Sequence, residues 1–416
     1  MRSIDAIVVG GGQAGLAASH ELARFGVAHV VLERGRLAER WRSERWDSLR
    51  LLTPNWMNRL PGHAYRGPDP DGFMTMPEVV GFLDSYARSF AAPVEEATAV
   101  RALRPFVGGY LLETSRGTWR ARAVIIATGH CGLPAVPRFA AALCPSVVQL
   151  TPSAYRNPGA LPDGGVLVVG AAASALQIAE ELRLSGRPVV LAAGRHTRAP
   201  RSYRGRDIWW WMDRAGMLED RAEDQPDLAR ARAQPSLQLV GGPPPRDLDL
   251  PTLRALGVRV VGRMRGAAGR VVQFAGDLAE NVAGAQRPLE SMLARIDPLA
   301  DAIGAPRERW PSMPRGFGAG AAVLDLGAER IRSIVWATGY RRDTVWLHVP
   351  GLVDETGELR HRGGVTPSPG LYVIGLRFLR RRSSNFIGGV GADATALAAD
   401  AAGYLAARRP LPRNAA

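Results

Sequence analysis

Short, nearly unbroken apolar runs mark where this chain places buried parallel strands. The first spans Ile4 to Val9 and stops at Gly10-Gly11-Gly12. Helix-forming residues follow from Ala14 to Phe25, ending at Gly26. A second apolar run covers Val27 to Leu32, with Glu33 at its end. Residues 4–34 therefore read as one βαβ unit. The pattern returns once, as a strand from Val166 to Val169, a helix from Ser174 to Leu184, Gly186, and a strand from Pro188 to Ala193. Further buried strands are expected at 123–127, 331–336 and 370–374.

The rest is less regular. Residues 35–75 are loop-rich, with Trp41, Trp46 and Trp56 interleaved with arginine. Residues 76–90 read as a helix with Pro77 in its first turn. A short-stranded meander is expected over 94–120, turning at Gly108-Gly109. The stretch 151–165, rich in Pro and Gly, reads as a linker. Residues 195–250 are irregular and basic and hold Trp209-Trp210-Trp211, for which buried packing is the better reading than a substrate channel. A helix and hairpin are expected over 251–275, then a long helix over 278–303 interrupted by Pro288 and Pro298. The last helix is expected over 395–405. The fold class is thus α/β, with two Rossmann-like dinucleotide-binding domains and no tandem repeat beyond the two βαβ units.

Composition bounds the partners. The 416 residues are 46% hydrophobic and 22% charged, as in a soluble globular protein of two or three domains. The net charge is +14, and since the chain contains no Lys, all 53 basic residues are Arg. Such a surplus suits nucleic acid or an anionic membrane. Here the arginines are scattered among abundant Ala, Gly and Pro, as the codon usage of a GC-rich genome produces, and some serve anionic cofactors. No nucleic-acid or membrane partner is expected. The missing Lys excludes Schiff-base chemistry. Cys131 and Cys144 form neither a Cys-x-x-Cys pair nor a zinc site, and they fit a reducing compartment. The first strand leaves no room for a signal peptide, and no apolar run reaches the roughly 18 residues of a membrane span. The expected location is cytoplasmic.

The first glycine turn carries the strongest chemistry. Gly10 permits the tight turn, Gly12 lets the backbone approach a pyrophosphate, and Gly15 lets helix and strand pack closely. The helix N-terminus then offers N–H groups and partial positive charge to phosphates. Glu33, about 20 residues on, can accept from a ribose 2′-OH and would repel a 2′-phosphate, which suits FAD or NAD. The second turn has drifted. Gly170 is kept, Ala172 replaces the second glycine, Ser174 follows, and Ala175 replaces the third. Alanine is tolerated at the third position, whereas a methyl at the second narrows the approach to a pyrophosphate. Arg195 follows the next strand with no acid beside it, so a 2′-phosphate and NADPH are favoured over NADH. The alternative is a decayed domain kept as scaffold.

Two Ala-Thr-Gly elements, 127–129 and 337–339, each follow a buried strand. Two Rossmann motifs with such segments resemble the two-dinucleotide flavoproteins, and within them the class B flavin monooxygenases. Trp41 followed by Trp46-Asp-Ser-Leu-Arg-Leu-Leu-Thr-Pro-Asn, the stretch from Phe73 to Ala87, and Val335-Trp-Ala-Thr-Gly-Tyr340 are similar to flavin-containing and YUCCA-type monooxygenases. The resemblance covers about 1–200 and 325–400. It implies a split FAD domain, residues 1–158 and 328–416, with an NADPH domain inserted at 159–327. It implies FAD contacts at Gln13, Ala14, Arg34, Trp41, Val100, Thr128, Gly129, Gly375 and Leu376, and NADPH contacts at Thr338 and Gly339. Thr53 and Asn55 fall where relatives place groups near flavin C4a and the NADP ribose. The N-terminus of the last helix, near Asp393, is expected at the flavin pyrimidine edge.

The implied activity is an NADPH- and O2-dependent oxygenation of a small organic molecule through a flavin C4a-hydroperoxide. Heteroatom oxygenation, Baeyer–Villiger insertion and oxidative decarboxylation share that cycle. The family fingerprint Phe-x-Gly-x-x-x-His-x-x-x-(Tyr/Trp) is degraded here to Pro145, Val147, Thr151 and Tyr155, of which only the aromatic survives. That loss leaves open an NAD(P)H-dependent flavin reductase or oxidase without oxygen transfer. A thioredoxin-reductase-type disulfide enzyme is excluded by the missing cysteine pair.

Overall fold

The computed structural model describes residues 1–310, 315–318 and 320–408. The first apolar run becomes β1 (Arg2–Val9), followed by α1 (Gln13–Arg24) and β2 (His29–Leu32). Further along come α2 (Met76–Ser89), β3 (Val94–Glu95), β4 (Val100–Phe106), β5 (Gly109–Thr114) and β6 (Gly117–Ile126). Strands order as β3-β2-β1-β6-β5-β4 in one sheet, and a late strand, Leu371–Val373, also pairs with β6. The meander and the buried strand expected at 123–127 share one long element. The first half of β6 forms the antiparallel hairpin with β5, and its second half runs parallel to Leu371–Val373.

The second unit begins with β7 (Val148–Leu150), β8 (Gly165–Val169), α3 (Ala173–Leu184) and β9 (Val189–Ala192). After α4 (Ile208–Arg214) come β10 (Arg259–Val261), a hairpin of β11 (Met264–Ala268) and β12 (Val271–Phe274), α5 (Leu278–Ala302), β13 (Val323–Asp325) and β14 (Ile331–Trp336). The parallel sheet has the order β7-β14-β8-β9-β10, while β11, β12 and β13 form a small antiparallel sheet. The chain closes with β15 (Leu371–Val373) and α6 (Val390–Ala406), which packs on α1.

Strand pairing shows where the chain crosses between the two sheets. Val148–Leu150 and Ile331–Trp336 both join the second sheet, so the first unit ends near Ala127 and resumes after the Ala337 turn. The two crossing segments pair with each other, Tyr340 opposite Pro134 and Arg341 opposite Leu133, antiparallel. Thr338 Oγ1 donates to the Ala135 carbonyl at 2.8 Å, and Ala135 N–H donates to the Gly339 carbonyl at 2.9 Å.

Two expectations for helices change. The helix over 278–302 runs unbroken through Pro288 and Pro298. Each proline removes a backbone donor, but Val282, Ala285, Leu289, Met292, Leu293, Ile296 and Ala300 give the helix one continuous buried face. The last helix starts at Val390, earlier than its composition suggested.

The irregular stretch after β9 is held from within by arginine. Arg198, Arg201 and Arg204 are buried. Arg198 binds Gln286 at 3.0 Å and Asp249 at 3.1 Å, and Arg204 reaches Asp297, Asp301 and the Pro306 carbonyl. Arg201 pairs with Asp207, lies over the Phe73 ring at 4.8 Å, and donates to the Leu52 carbonyl at 2.9 Å. A buried cation needs such partners to be tolerated. Trp209 and Trp211 are core residues beside Met57, Ile208 and Met212.

Candidate active site

At the first turn Gly10 has φ +113°, and a methyl there would lie 2.7 Å from the Ala127 carbonyl oxygen. A methyl on Gly15 would overlap the Gly10 oxygen at 1.8 Å, so only glycine permits this contact between helix and strand. A methyl on Gly12 would meet nothing within 4 Å, which leaves the approach to the α1 N-terminus open. No side chain caps α1, so its first N–H groups are free for an anion. Glu33 is buried and holds both flanks of the turn. Its Oε2 accepts from Gly11 N–H at 2.7 Å and its Oε1 from Gly35 N–H at 2.9 Å. Each carboxylate oxygen can accept again, so a ribose hydroxyl remains within its capacity.

The second turn repeats this backbone. Ala172 sits at φ −89°, ψ 177°, against −89°, −173° for Gly12, and α3 is also uncapped. Its methyl is therefore unstrained and projects where the first site is open. Gly170, at φ +129°, abuts the Ala337 carbonyl as Gly10 abuts that of Ala127. Ala175 is buried without conflict, so helix and strand are less tightly apposed here. The side chain of Ser174 and the exposed Arg195 have no hydrogen-bond or ion-pair partner among the described residues. Both turns thus offer uncapped N–H groups, and each adjoins the start of one linker. An acid closes the first turn and a free cation stands past the second, which fits FAD and NADPH respectively.

Other expected residues divide by what they already bind. Trp41 Nε1 donates to Gln13 Oε1 at 3.3 Å, and the Arg45 guanidinium lies 5.0 Å from the Trp41 ring centre. Arg34 pairs with Glu44 at 2.7 Å. Gly375, at φ +76°, closes on Ala14, and Leu376 beside it is buried. Thr128 is exposed, Gly129 is half-buried, and Val100 opens β4 opposite Thr114. Thr338 and Gly339 bind the opposite linker. Thr53 is half-buried and its hydroxyl is free of partners among the described residues, whereas Asn55 is buried and committed. The Asn55 amide donates to the Asp69 carbonyl at 2.9 Å and its oxygen accepts from Met74 N–H at 3.0 Å. The Leu52 carbonyl accepts from both Arg201 and Trp209 Nε1, the latter at 2.8 Å, so the insertion anchors the loop that carries Thr53.

The degraded fingerprint keeps a structural remnant. Tyr155 is fully buried and its hydroxyl donates to Glu181 at 2.6 Å. In the first turn of α6, Asp393 is fully buried with neither oxygen hydrogen-bonded. Burial pushes it up to about 6, against the pull of Ser384, Arg381 and Arg380.

Beyond the first linker lies a basic cluster that no motif in the sequence announces. Burial, with the charges of Arg377, Arg342 and Arg45, pushes His130 down to about 4, despite a backbone interaction with Gly375. Burial raises the Cys131 thiol in spite of Arg45 and Arg40. Burial and the charges of Arg232 and Arg342 push His361 down to about 4. Arg377 opens a stretch that also holds Arg380, Arg381 and Arg382. Arg232 and His361 lie far apart in sequence, and no local spacing announces their meeting. Among the described residues no group of acids, histidines and cysteines could hold a metal, and no helix is long and apolar enough to cross a membrane.

The profile of the pyridine nucleotide-disulphide oxidoreductase family matches residues 7–206. An uncharacterized CzcO-like oxidoreductase of Geobacillus kaustophilus is 31% identical over 400 residues, spanning 95% of this chain and 98% of that one. Indole-3-pyruvate monooxygenase YUCCA4 of Oryza sativa subsp. japonica is 31% identical over 195 residues, 42% of this chain and 44% of its own. Among solved structures, a flavin-containing monooxygenase from Stenotrophomonas maltophilia shares the fold with TM-score 0.67 at 21% identity, covering 97% of this chain and 99% of that chain. With both glycine turns in place and the likeness running through nearly the whole length, this chain belongs to the CzcO-like oxidoreductases.

Proposed function

We propose that the chain is an NADPH- and O2-dependent monooxygenase of a small organic molecule. The observation that carries this reading is the pair of uncapped helix N-termini, each adjoining one of two linkers that pair with each other. That arrangement supports two dinucleotides meeting at one cleft. Bound FAD and NADPH would supply the redox chemistry, hydride transfer and activation of O2, that oxygenation of a substrate requires. The chain's own part is binding, orientation and exclusion of water. Gly10, Gly12, Gly15 and the first N–H groups of α1 would hold the FAD phosphates, and Glu33 a ribose hydroxyl. Gly170, Ala172, Ser174 and α3 would hold the NADPH pyrophosphate, and Arg195 its 2′-phosphate. Arg201 and Trp209 fix the loop at Leu52, so Thr53 is presented from a rigid support. Trp46, buried in the core of the second unit, ties that loop to the nucleotide domain.

The test is oxygen transfer. FAD-loaded enzyme is given NADPH, isotopically heavy O2 and a compound library covering amines, sulfides, ketones and 2-oxo acids. The expected result is a product carrying one heavy oxygen atom. Stoichiometric peroxide from NADPH oxidation, with no labelled product from any compound, would identify a flavin reductase or oxidase instead.

A further inference from the structure

The basic cluster past the first linker has donors that the protein leaves without acceptors. Arg232 Nη2 lies 3.3 Å from His361 Nε2 and donates to the Phe378 carbonyl at 3.2 Å. The N–H of Gly364 points at His361 Nδ1, also at 3.3 Å. Burial and the two neighbouring guanidiniums keep that imidazole neutral. A neutral imidazole has one acceptor nitrogen, so it cannot accept from both donors that face it. Arg342 pairs with Glu358 at 2.7 Å, yet its Nη1 is buried without a partner. Arg377 donates to the Gln234 carbonyl of the insertion at 2.6 Å.

The charges do not cancel either. Around His130, Cys131, Tyr340 and His361 stand the guanidiniums of Arg40, Arg45, Arg232, Arg342 and Arg377. The carboxylates that reach the same groups are Glu44, shared between Arg34 and Arg40, and Glu358, bound by Arg342. The side chains of this cluster are half-buried rather than sealed. Arg342 Nη1 is left unpaired and Arg232 faces a neutral imidazole, so an incoming anion would find charge-assisted donors here.

We propose that Arg232, Arg342, Arg377 and His361 form a subsite for a carboxylate group of the substrate, resting on the monooxygenase reading above. The cofactor phosphates are the other source of anionic oxygen, and the geometry argues against them. They have their own donors at the uncapped ends of α1 and α3. Arg232 and His361 sit on the insertion and on the loop before β15, which neither glycine turn touches. A planar carboxylate would accept from the guanidinium forks and take up the donor that His361 leaves unmatched.

The probes are phenylacetate and benzoate, each against its neutral amide, titrated calorimetrically into FAD-loaded enzyme saturated with NADP+. The carboxylates are expected to bind at least about ten-fold more tightly than the amides, since one charge-assisted hydrogen bond carries roughly that factor. Equal affinities, or none, would overturn the subsite, and this ratio is read on the wild-type protein whether or not any variant folds. Arg232→Gln and Arg342→Gln should each weaken carboxylate binding about 10- to 100-fold and leave amide binding unmoved. Parallel losses for acid and amide would overturn the assignment. Release of FAD by the carboxylates would show that these arginines serve the flavin phosphates, which also overturns it. Oxygen transfer plays no part in these readouts. Carboxylate selectivity without labelled product would sink the oxygenase reading and leave the subsite standing, and labelled product with no selectivity would do the reverse.

Discussion

Replacing Arg195 with alanine isolates the recognition of one phosphate group. The residue is exposed and has no hydrogen-bond or ion-pair partner among the described residues, so its removal costs the fold nothing it was using. Its neighbours limit compensation. His196 is buried, and burial lowers its pKa, so it adds no positive charge near neutrality. The Arg263 stem packs behind Gly194, but its guanidinium is 3.5 Å from Asp277 and partly spent. A charge-assisted contact to a phosphate is worth about 1.5–2.5 kcal/mol at such a site, which is about 10- to 70-fold in affinity. Arg195→Ala should therefore raise the KM for NADPH about 10- to 70-fold, leave the KM for NADH within about two-fold, and keep the unfolding midpoint. Steady-state reduction of bound FAD by each nucleotide measures this, repeated at raised ionic strength, where the wild-type preference should shrink. An equal rise for NADH would mean that Arg195 supports the backbone rather than the 2′-phosphate. No rise for NADPH would remove the case for NADPH over NADH at the second turn.

Gly15→Ala should purify with little or no flavin, because its methyl would overlap the Gly10 oxygen at 1.8 Å; the ratio of flavin to protein absorbance reads it, and a full complement of FAD would refute the close contact. Ala172→Gly should lower the KM for NADPH with kcat unchanged, and an unchanged KM would show that the methyl does not crowd the pyrophosphate. Trp209→Phe removes one of two donors to the Leu52 carbonyl and should cost about 1 kcal/mol in denaturant unfolding. Asp393 is an acid raised from 3.8 to about 6, so the folded state holds its proton more tightly than the unfolded chain. That contribution is fully present below about pH 4 and is lost as pH rises through 6. Asp393→Asn cannot ionise, so its stability advantage should grow from near zero at pH 4 to at most about 3 kcal/mol above pH 7. An advantage that does not change with pH would show that Asp393 does not titrate in this range.

Local features were legible because their causes are local. The strand, glycine turn and helix around Gly10 and Gly170 follow from neighbouring residues, and both units fold where periodicity places them. The pairing of Val148–Leu150 with Ile331–Trp336 was not legible, because the partners lie far apart in sequence. The stretch after β9 was opaque for another reason. Its order comes from buried arginines, and an arginine code carries no sign of whether Arg201 will lie under Phe73 or in solvent. The same ambiguity hid the cluster: scattered arginines looked like genome bias, and only folding brings Arg232, Arg342 and Arg377 around two neutral imidazoles.

The paired linkers have a mechanical consequence. Two independent tethers would let the flavin and nucleotide halves slide, tilt and twist. Here the crossings are laced together at Tyr340 with Pro134 and at Arg341 with Leu133, and Thr338 is knotted to Ala135. Sliding one half past the other would shear those bonds, whereas bending the ribbon across its width leaves them whole. The soft direction is therefore a rotation, like a door on a strap hinge. Because each glycine turn is braced against the root of one strap, at Ala127 and at Ala337, swinging the halves changes the angle between the two bound dinucleotides more readily than the spacing of their anchors.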